Sequence, residues 1–379
     1  MEYNVLGYFD KGLENAREAI RVNPATGAQY LLATWAYMGL HRQEEARAIL
    51  DAALRRKIGG YGIHMALALL AMERHDDVEL AREEAFLRTS PAGELSLLYF
   101  TAGVAASRGQ LKRSEELRRQ AQEAGLRSNL KEPAAQALVV QAQLEAAVGL
   151  SSRAIEDAHA ALSLPASPGV AAKAVLALAL AGRGAEAERL VAQLEKARPA
   201  DQFIKFVGLP SIRAAIDLNH GNAEAALALL ESAKPYDRAD ASVRLLRAEI
   251  LLRGGRLNDA ASEFETVASL PFSEPIGFRW TSYTVNLFAP LAEVGLARSR
   301  RLAGEISDSR RAYQAFLAAW KDADPDIPIL KQAKAEYAKL HQVLFFHSFQ
   351  VLLSTLPHAL RGVRHFALAE VPCQPRLAP

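Results

Sequence analysis

The sequence predicts an all-α fold, a right-handed α-solenoid of stacked helix–turn–helix repeats, and three observations carry that expectation. Short polar turns recur at Gly39, His75, Gly109, Gly149, Gly182, Gly221, Gly255 and Gly304. Between them apolar residues return at three- and four-residue spacing, with no convincing period-two alternation. Those apolar stripes are rich in alanine, which lets helices approach closely, and no helix pair can bury its stripe without a neighbouring pair.

The unit is clearest from Leu209 to Tyr236. Pro210 suits the first turn of a first helix, where a missing N–H costs nothing. Gly221 can take the left-handed conformation that ends that helix. Ala225, Ala226, Leu229, Leu230 and Ala233 then make one apolar face of the second helix. In chain order, an amphipathic helix between Gly7 and Pro24 carries Gly12, Ala16, Ala19 and Ile20. Pairs follow at 27–38 with 42–56, 61–74 with 77–88, 93–107 with 111–124, and 133–147 with 151–163. The remaining pairs are 168–181 with 184–197, 210–219 with 222–233, 239–253 with 256–268, and 287–302 with 306–320. Pro91, Pro133, Pro168 and Pro210 stand at or near helix starts, where proline is tolerated.

Met1 to Leu6 is too short for the helix that should precede Gly7, so the first repeat is expected to be incomplete, in a chain cut from something longer. Leu270 to Pro290 is the longest interruption, rich in aromatics, and is expected to pack against the following helix. A closing helix is expected over 327–340, with Asp326 as its N-cap and Lys331, Lys334 and Lys339 facing outward. The array thus spans residues 1–340. Residues 341–379 form an atypical hydrophobic tail that holds four of the nine histidines and neither aspartate nor lysine.

Composition narrows function. With 45 basic and 43 acidic residues and no block of lysine or arginine, nucleic-acid binding is not expected. No apolar run reaches the ~20 residues of a membrane span, and Met1-Glu2-Tyr3-Asn4 does not open a signal peptide. A cytoplasmic protein is expected, or an extracytoplasmic one if a membrane span lies upstream. Cys373 is the single cysteine, which excludes an intramolecular disulfide and a Cys-rich metal site. Asp322, Asp324 and Asp326 alternate like the opening of a calcium loop. Ile327 stands where that loop needs glycine, and Ala333 where it needs glutamate, so turn and cap are the expected roles. Lys112, Arg113, Arg118 and Arg119 interleave with Glu115, Glu116 and Glu123 and read as a solvated helix face with i,i+4 pairs. No nucleophile elbow, zinc motif, phosphate loop or kinase catalytic string is present. The chain is therefore expected to be no enzyme and to need no cofactor or metal.

Ala248, Gly255, Ala260 and Phe264 put a small residue in a first helix, glycine at the turn, and small then large apolar residues on the second helix. Ala297, Gly304 and Tyr313 do the same, as do Gly149, Ala154, Ala158 and Ala161. In this pattern the chain resembles tetratricopeptide repeats, although the aromatic residues of their first helix are mostly missing. From Leu209 to Leu340 it resembles the repeat region found behind bacterial serine/threonine protein kinase domains, and sometimes behind winged-helix DNA-binding domains. The residues that carry this are LPSIRAAIDL from 209, GLARSRRLAG from 295 and WKDADPDIPILKQAKAEYAKL from 320.

The resemblance implies a monomeric, non-catalytic scaffold whose first helices line a concave groove for a protein or peptide segment. It also admits a sensor or docking region whose kinase or DNA-binding part is not in this chain. Aligning the turns at Gly255 and Gly304 makes Glu249 and Arg298 equivalent, at a position that faces the groove in such repeats. Arg253 and Arg301 lie about one turn further on. Three guanidiniums there would grip an acidic segment or a terminal carboxylate, with Glu249 setting register. The competing reading is of solvated arginines on an amphipathic face.

Overall fold

The computed structural model describes residues 2–5, 7–127, 131–197, 199–236, 238, 240–270 and 286–340. All the regular structure among them is helical. A short α1 (Glu2–Val5) and α2 (Phe9–Val22) are followed by α3 (Gly27–Gly39), α4 (Gln43–Arg55), α5 (Tyr61–Glu73) and α6 (Asp77–Leu87). Next come α7 (Pro91–Ser107), α8 (Leu111–Arg127), α9 (Lys131–Val148), α10 (Ser151–Leu162), α11 (Pro168–Leu180) and α12 (Gly184–Ala197). The array continues with α13 (Leu209–Asn219), α14 (Ala223–Leu229), α15 (Ala241–Arg253), α16 (Leu257–Ser269), α17 (Ala289–Leu302) and α18 (Ile306–Ala319). The chain forms two compact units, Met1–Lys331 and Gln332–Pro379. The described part of the second, residues 332–340, is helical, and the tail expected over 341–379 lies outside the described residues. Among the described residues no helix is long and apolar enough to cross a membrane.

Within the first unit each helix packs on its predecessor, and first helices also pack on first helices: α3 on α5, α5 on α7, α9 on α11, α11 on α13, α13 on α15, and α15 on α17. That second set of contacts makes this a stacked array of helix–turn–helix units. First helices are apolar on nearly every side because they meet neighbours on several sides. In α5 the residues Ile63, Met65, Ala66, Leu67, Ala68, Leu69, Leu70 and Ala71 are all buried. Second helices bury one stripe, as in α4 with Ala46, Leu50 and Ala53. The small residues expected at these contacts are required by close approach. A Cβ at Gly295 would lie 2.2 Å from the Phe264 ring, and Ala248, Ala260, Ala297 and Tyr313 are fully buried.

One turn geometry repeats between the helices of a pair. At Gly109, Gly149, Gly182, Gly221, Gly255 and Gly304 the residue is left-handed. Its N–H bonds the carbonyl three residues back, and the next N–H reaches five back, as in Gly109 N–H to Ala106 O and Gln110 N–H to Ala105 O. His75 fills the same place with φ 56°, and His41 with φ 57°. The first turn therefore breaks left-handed at His41, two residues after the expected Gly39. Gly39 instead ends α3 against Phe9, whose ring would stand 2.6 Å from a Cβ there.

Helix 13 is entered through a π-helical turn, Ile204–Gly208, and the helical run starts at residue 202. Pro210 stands in the first turn of α13, as expected, although the π-helical turn runs into that helix without a break. The missing N–H leaves the Phe206 carbonyl without its helical donor, and the Ser232 hydroxyl donates to it at 3.2 Å. In the interruption before α17, residues 271–285 lie outside the described residues. The Asn286 amide closes α16 by donating to Val267 O and Leu270 O, and its oxygen receives the Phe288 N–H. Leu287, one residue on, lines a small cavity together with Ala102, Gly103 and Ala106 of α7 and Ala137, Val140 and Gln141 of α9. Leu287 thus borders helices far earlier in the chain, while the packing expected of the interruption as a whole lies outside the described residues.

The segment after α18 makes a comparable long-range contact. The Trp320 indole N–H donates to Ser107 O at 2.9 Å, and the Asp324 N–H donates to Gly109 O at 3.0 Å. The Asp324 carboxylate accepts the Lys112 N–H, and Asp326 pairs with the Lys112 ammonium at 3.4 Å. Asp324 and Asp326 thus act as turn and cap, although the helix that Asp324 closes is α8. Residues 328–340 then form the next helix, one residue later than expected.

Candidate functional site

The four residues singled out from sequence lie on consecutive first helices, α15 and α17. Asp240 starts α15 by accepting the N–H groups of Ser242 and Val243. Pro290, in the first turn of α17, needs no donor there. Alanines 248 and 297 are fully buried, so the two helices pack tightly and hold the next residues, Glu249 and Arg298, in fixed relation. Both are half-buried. Burial pushes the Glu249 carboxyl above its ordinary range, and the Arg253 and Arg298 guanidiniums pull against that rise. The array therefore brings Arg253 and Arg298 within electrostatic reach of Glu249. Arg253 and Arg301 are exposed, and among the described contacts none ties Arg301 to the other three.

Arg300, between the two chosen arginines, faces elsewhere. It donates to Glu265 of α16 at 2.7 Å and to Glu305 at 2.6 Å, at the edge of an open cavity of about 320 Å³. Glu293, Asp308 and Arg311 also line it. Burial, with the neighbouring Glu265 charge, raises the Glu293 carboxyl. This surface is a mixed set of ion pairs with no reactive group held beside a base.

A third polar site was not legible as such. Between α7, α8, α9 and α10 lies a cavity of about 210 Å³ lined by Tyr99, Glu115, Arg118, Arg119, Gln122, Ala134, Ala137, Leu138 and Asp157. The expectation of a solvated face holds for Lys112, Arg113 and Arg119, which are exposed. Arg113 pairs with Glu116, and Arg119 with Glu123. It fails for Arg118, which is 9% exposed and meets Asp157 of α10 at 3.3 Å. The signal was there: Leu111, Ser114, Leu117, Arg118 and Ala121 recur at helical spacing on the buried stripe of α8. Tyr99 is 7% exposed, and burial pushes its phenol up to about 12, so it stays protonated. Beside them Glu145 is fully buried, accepting from Gln141 and pairing with Arg153 at 3.0 Å, and burial raises its carboxyl to about 7. Asp157 is raised by burial too, against the pull of Arg118 and Arg153.

Among the described residues no group of three or more histidine, cysteine, aspartate or glutamate side chains is placed to hold a metal ion. No protein-family model matches the sequence, and no curated protein matches it. Among solved structures the chain is similar to yeast Tom70, at 13% identity over 96% of this chain and 90% of that one. The TM-score is 0.26, too low for that likeness to carry any argument.

Proposed function

We propose that this chain is a non-catalytic scaffold that holds a partner protein segment against its first helices. The observation that carries this reading is that Arg253 and Arg298, on adjacent first helices of a stacked array, both lie within electrostatic reach of Glu249. Glu249 and Arg298 are half-buried, and the exposed Arg253 and Arg301 extend a face on which arginines outnumber the carboxylate. Such a face recognises carboxylates through paired N–H donors, so the partner is an acidic segment or a terminal carboxylate. The test replaces Arg298 and Arg301 together with glutamate. Exposed and half-exposed charges of this kind contribute only ~0–1 kcal/mol to folding, so the helical signal should persist while capture of the acidic partner is lost. Unchanged capture with unchanged salt dependence removes this face.

A second reading is that the array serves as the docking region of a bacterial kinase or winged-helix regulator. It rests on the string from Trp320 to Leu340, whose Trp320, Asp324 and Asp326 engage the α7–α8 turn. Coding sequence for a kinase or winged-helix domain in frame upstream supports it, and an unrelated upstream sequence sinks it.

A further inference from the structure

Second helices turn small and apolar residues inward, as α4 does with Ala46, Leu50 and Ala53, and α16 with Ala260, Phe264 and Val267. Helix α6 departs from that pattern. Its buried residues are Glu79, Glu83 and Leu87. Both carboxylates are held from within the array: Glu79 pairs with Arg47 of α4, and Glu83 meets Nδ1 of His64 on α5 at 2.6 Å. Arg82 pairs with the same two glutamates, at 2.6 Å and 2.8 Å.

These pairs fix which side of α6 meets solvent. Val78, Ala81, Ala85 and Phe86 recur at three- and four-residue spacing on that side, and all four are exposed. Val78 is 84% exposed and Phe86 42%, the Phe86 ring being stacked on His64 with centroids 3.5 Å apart. One exposed apolar side chain needs no explanation. An apolar row outside, with carboxylates inside, marks a face that is covered by something else.

The charges at the ends of α6 decide what covers it. Asp77 opens the helix and Arg88 follows its last residue, and both are exposed. A parallel α6 from a second copy would set Asp77 against Asp77 and Arg88 against Arg88. An antiparallel one sets Asp77 against Arg88 at both ends, the self-complementary arrangement of a two-fold contact. In that register Val78 lies level with Phe86 of the other helix. Ala81 lies level with Ala85, and these small residues let the two backbones approach. Arg82 falls on the axis, where Glu79 and Glu83 of its own chain already match its charge.

We infer that α6 is a homodimer contact, in which two copies pack their Val78–Phe86 faces antiparallel about a two-fold axis at Arg82. The chain is then a dimer where the repeat resemblance implies a monomer. The contact uses a second helix and does not depend on the first-helix arginines of the proposed function.

A face of three helical turns is small for an interface, so dissociation should fall at about 10 µM to 1 mM. Sedimentation velocity of the full chain across that range is the test. The wild-type mass should rise from one chain toward two. Val78→Ser removes apolar contact at an exposed position and should weaken association at least about fivefold. Asp77→Lys and Arg88→Asp should each associate more weakly than the wild type when alone. An equimolar mixture of the two should recover association, because opposite charges then meet at both ends. Circular dichroism checks that each variant is folded. The inference is overturned if the wild type stays monomeric at about 1 mM, or if Val78→Ser associates like the wild type. It is overturned equally if the mixture associates no better than its components.

Discussion

Asp324 accepts a hydrogen bond from the Lys112 backbone N–H at 2.9 Å, so the N-terminus of α8 is closed by a carboxylate 212 residues downstream. An anion at a helix N-terminus is stabilised by the unpaired N–H groups and by the helix dipole. Asp324→Ala should therefore cost about 0.5–2 kcal/mol, the range for a lost N-cap. Asp324→Asn keeps an acceptor and loses the charge, so it should cost less. Urea denaturation of the three proteins checks the order. Equal midpoints would mean that the 320–328 segment rests on this turn without stabilising it.

His75 occupies the left-handed turn position that glycine fills in later repeats, at φ 56° and exposed to solvent. A side chain at that backbone angle costs roughly 1 kcal/mol through contact of Cβ with its own carbonyl. Glycine avoids that cost but loses more entropy on folding. His75→Gly should raise stability by about 0.5 kcal/mol, and His75→Ala should not. A fall in the melting midpoint of the glycine variant would show that the imidazole makes a compensating contact.

These two cases mark where the sequence was informative. Turn positions, helix pairs and the small residues at helix contacts follow from spacing, because each is set by interactions within about forty residues. The turn-and-cap role is legible for Asp324, although not its target, since no local pattern points from Asp324 to Lys112. Gly39 was mistaken for a turn because close approach to Phe9 and a left-handed turn both call for glycine. Of the site residues, helical periodicity and repeat alignment place Glu249 beside Arg298. The same periodicity could have put Arg118 on the buried stripe, but the interleaved glutamates outweighed it.

The π-helical turn before Pro210 offers a cleaner test of how a proline is tolerated inside a helix. Ser232 donates to Phe206 O at 3.2 Å and also to Leu229 O at 3.2 Å. Ser232 is exposed, so Ser232→Ala should cost no more than about 1 kcal/mol. In a Pro210→Ala background the backbone gains an N–H that can serve the same region, and the serine should matter less. A double-mutant cycle measures this coupling. Additive effects would dissociate Ser232 from the proline.

Glu145 gives the sharpest pH dependence. Its carboxyl is fully buried, and burial raises it to about 7 from an ordinary 4.5, despite Gln141 and Arg153. The folded chain therefore holds this proton more tightly than the unfolded chain does. The resulting stability is complete below about pH 4.5 and is lost as pH rises through about 7. Half-buried carboxyls such as Asp157 and Glu249 shift in the same direction, so the whole profile does not isolate one residue. A difference between wild type and Glu145→Gln does. The amide preserves shape and cannot ionise, so the variant should gain on the wild type by about 1–3 kcal/mol between pH 5 and pH 8. Its own profile over that interval should be flatter by the same amount. Parallel profiles would mean that the ion pair with Arg153 at 3.0 Å keeps Glu145 charged throughout. In that case the glutamine variant, leaving Arg153 with only Glu115, should be less stable at every pH.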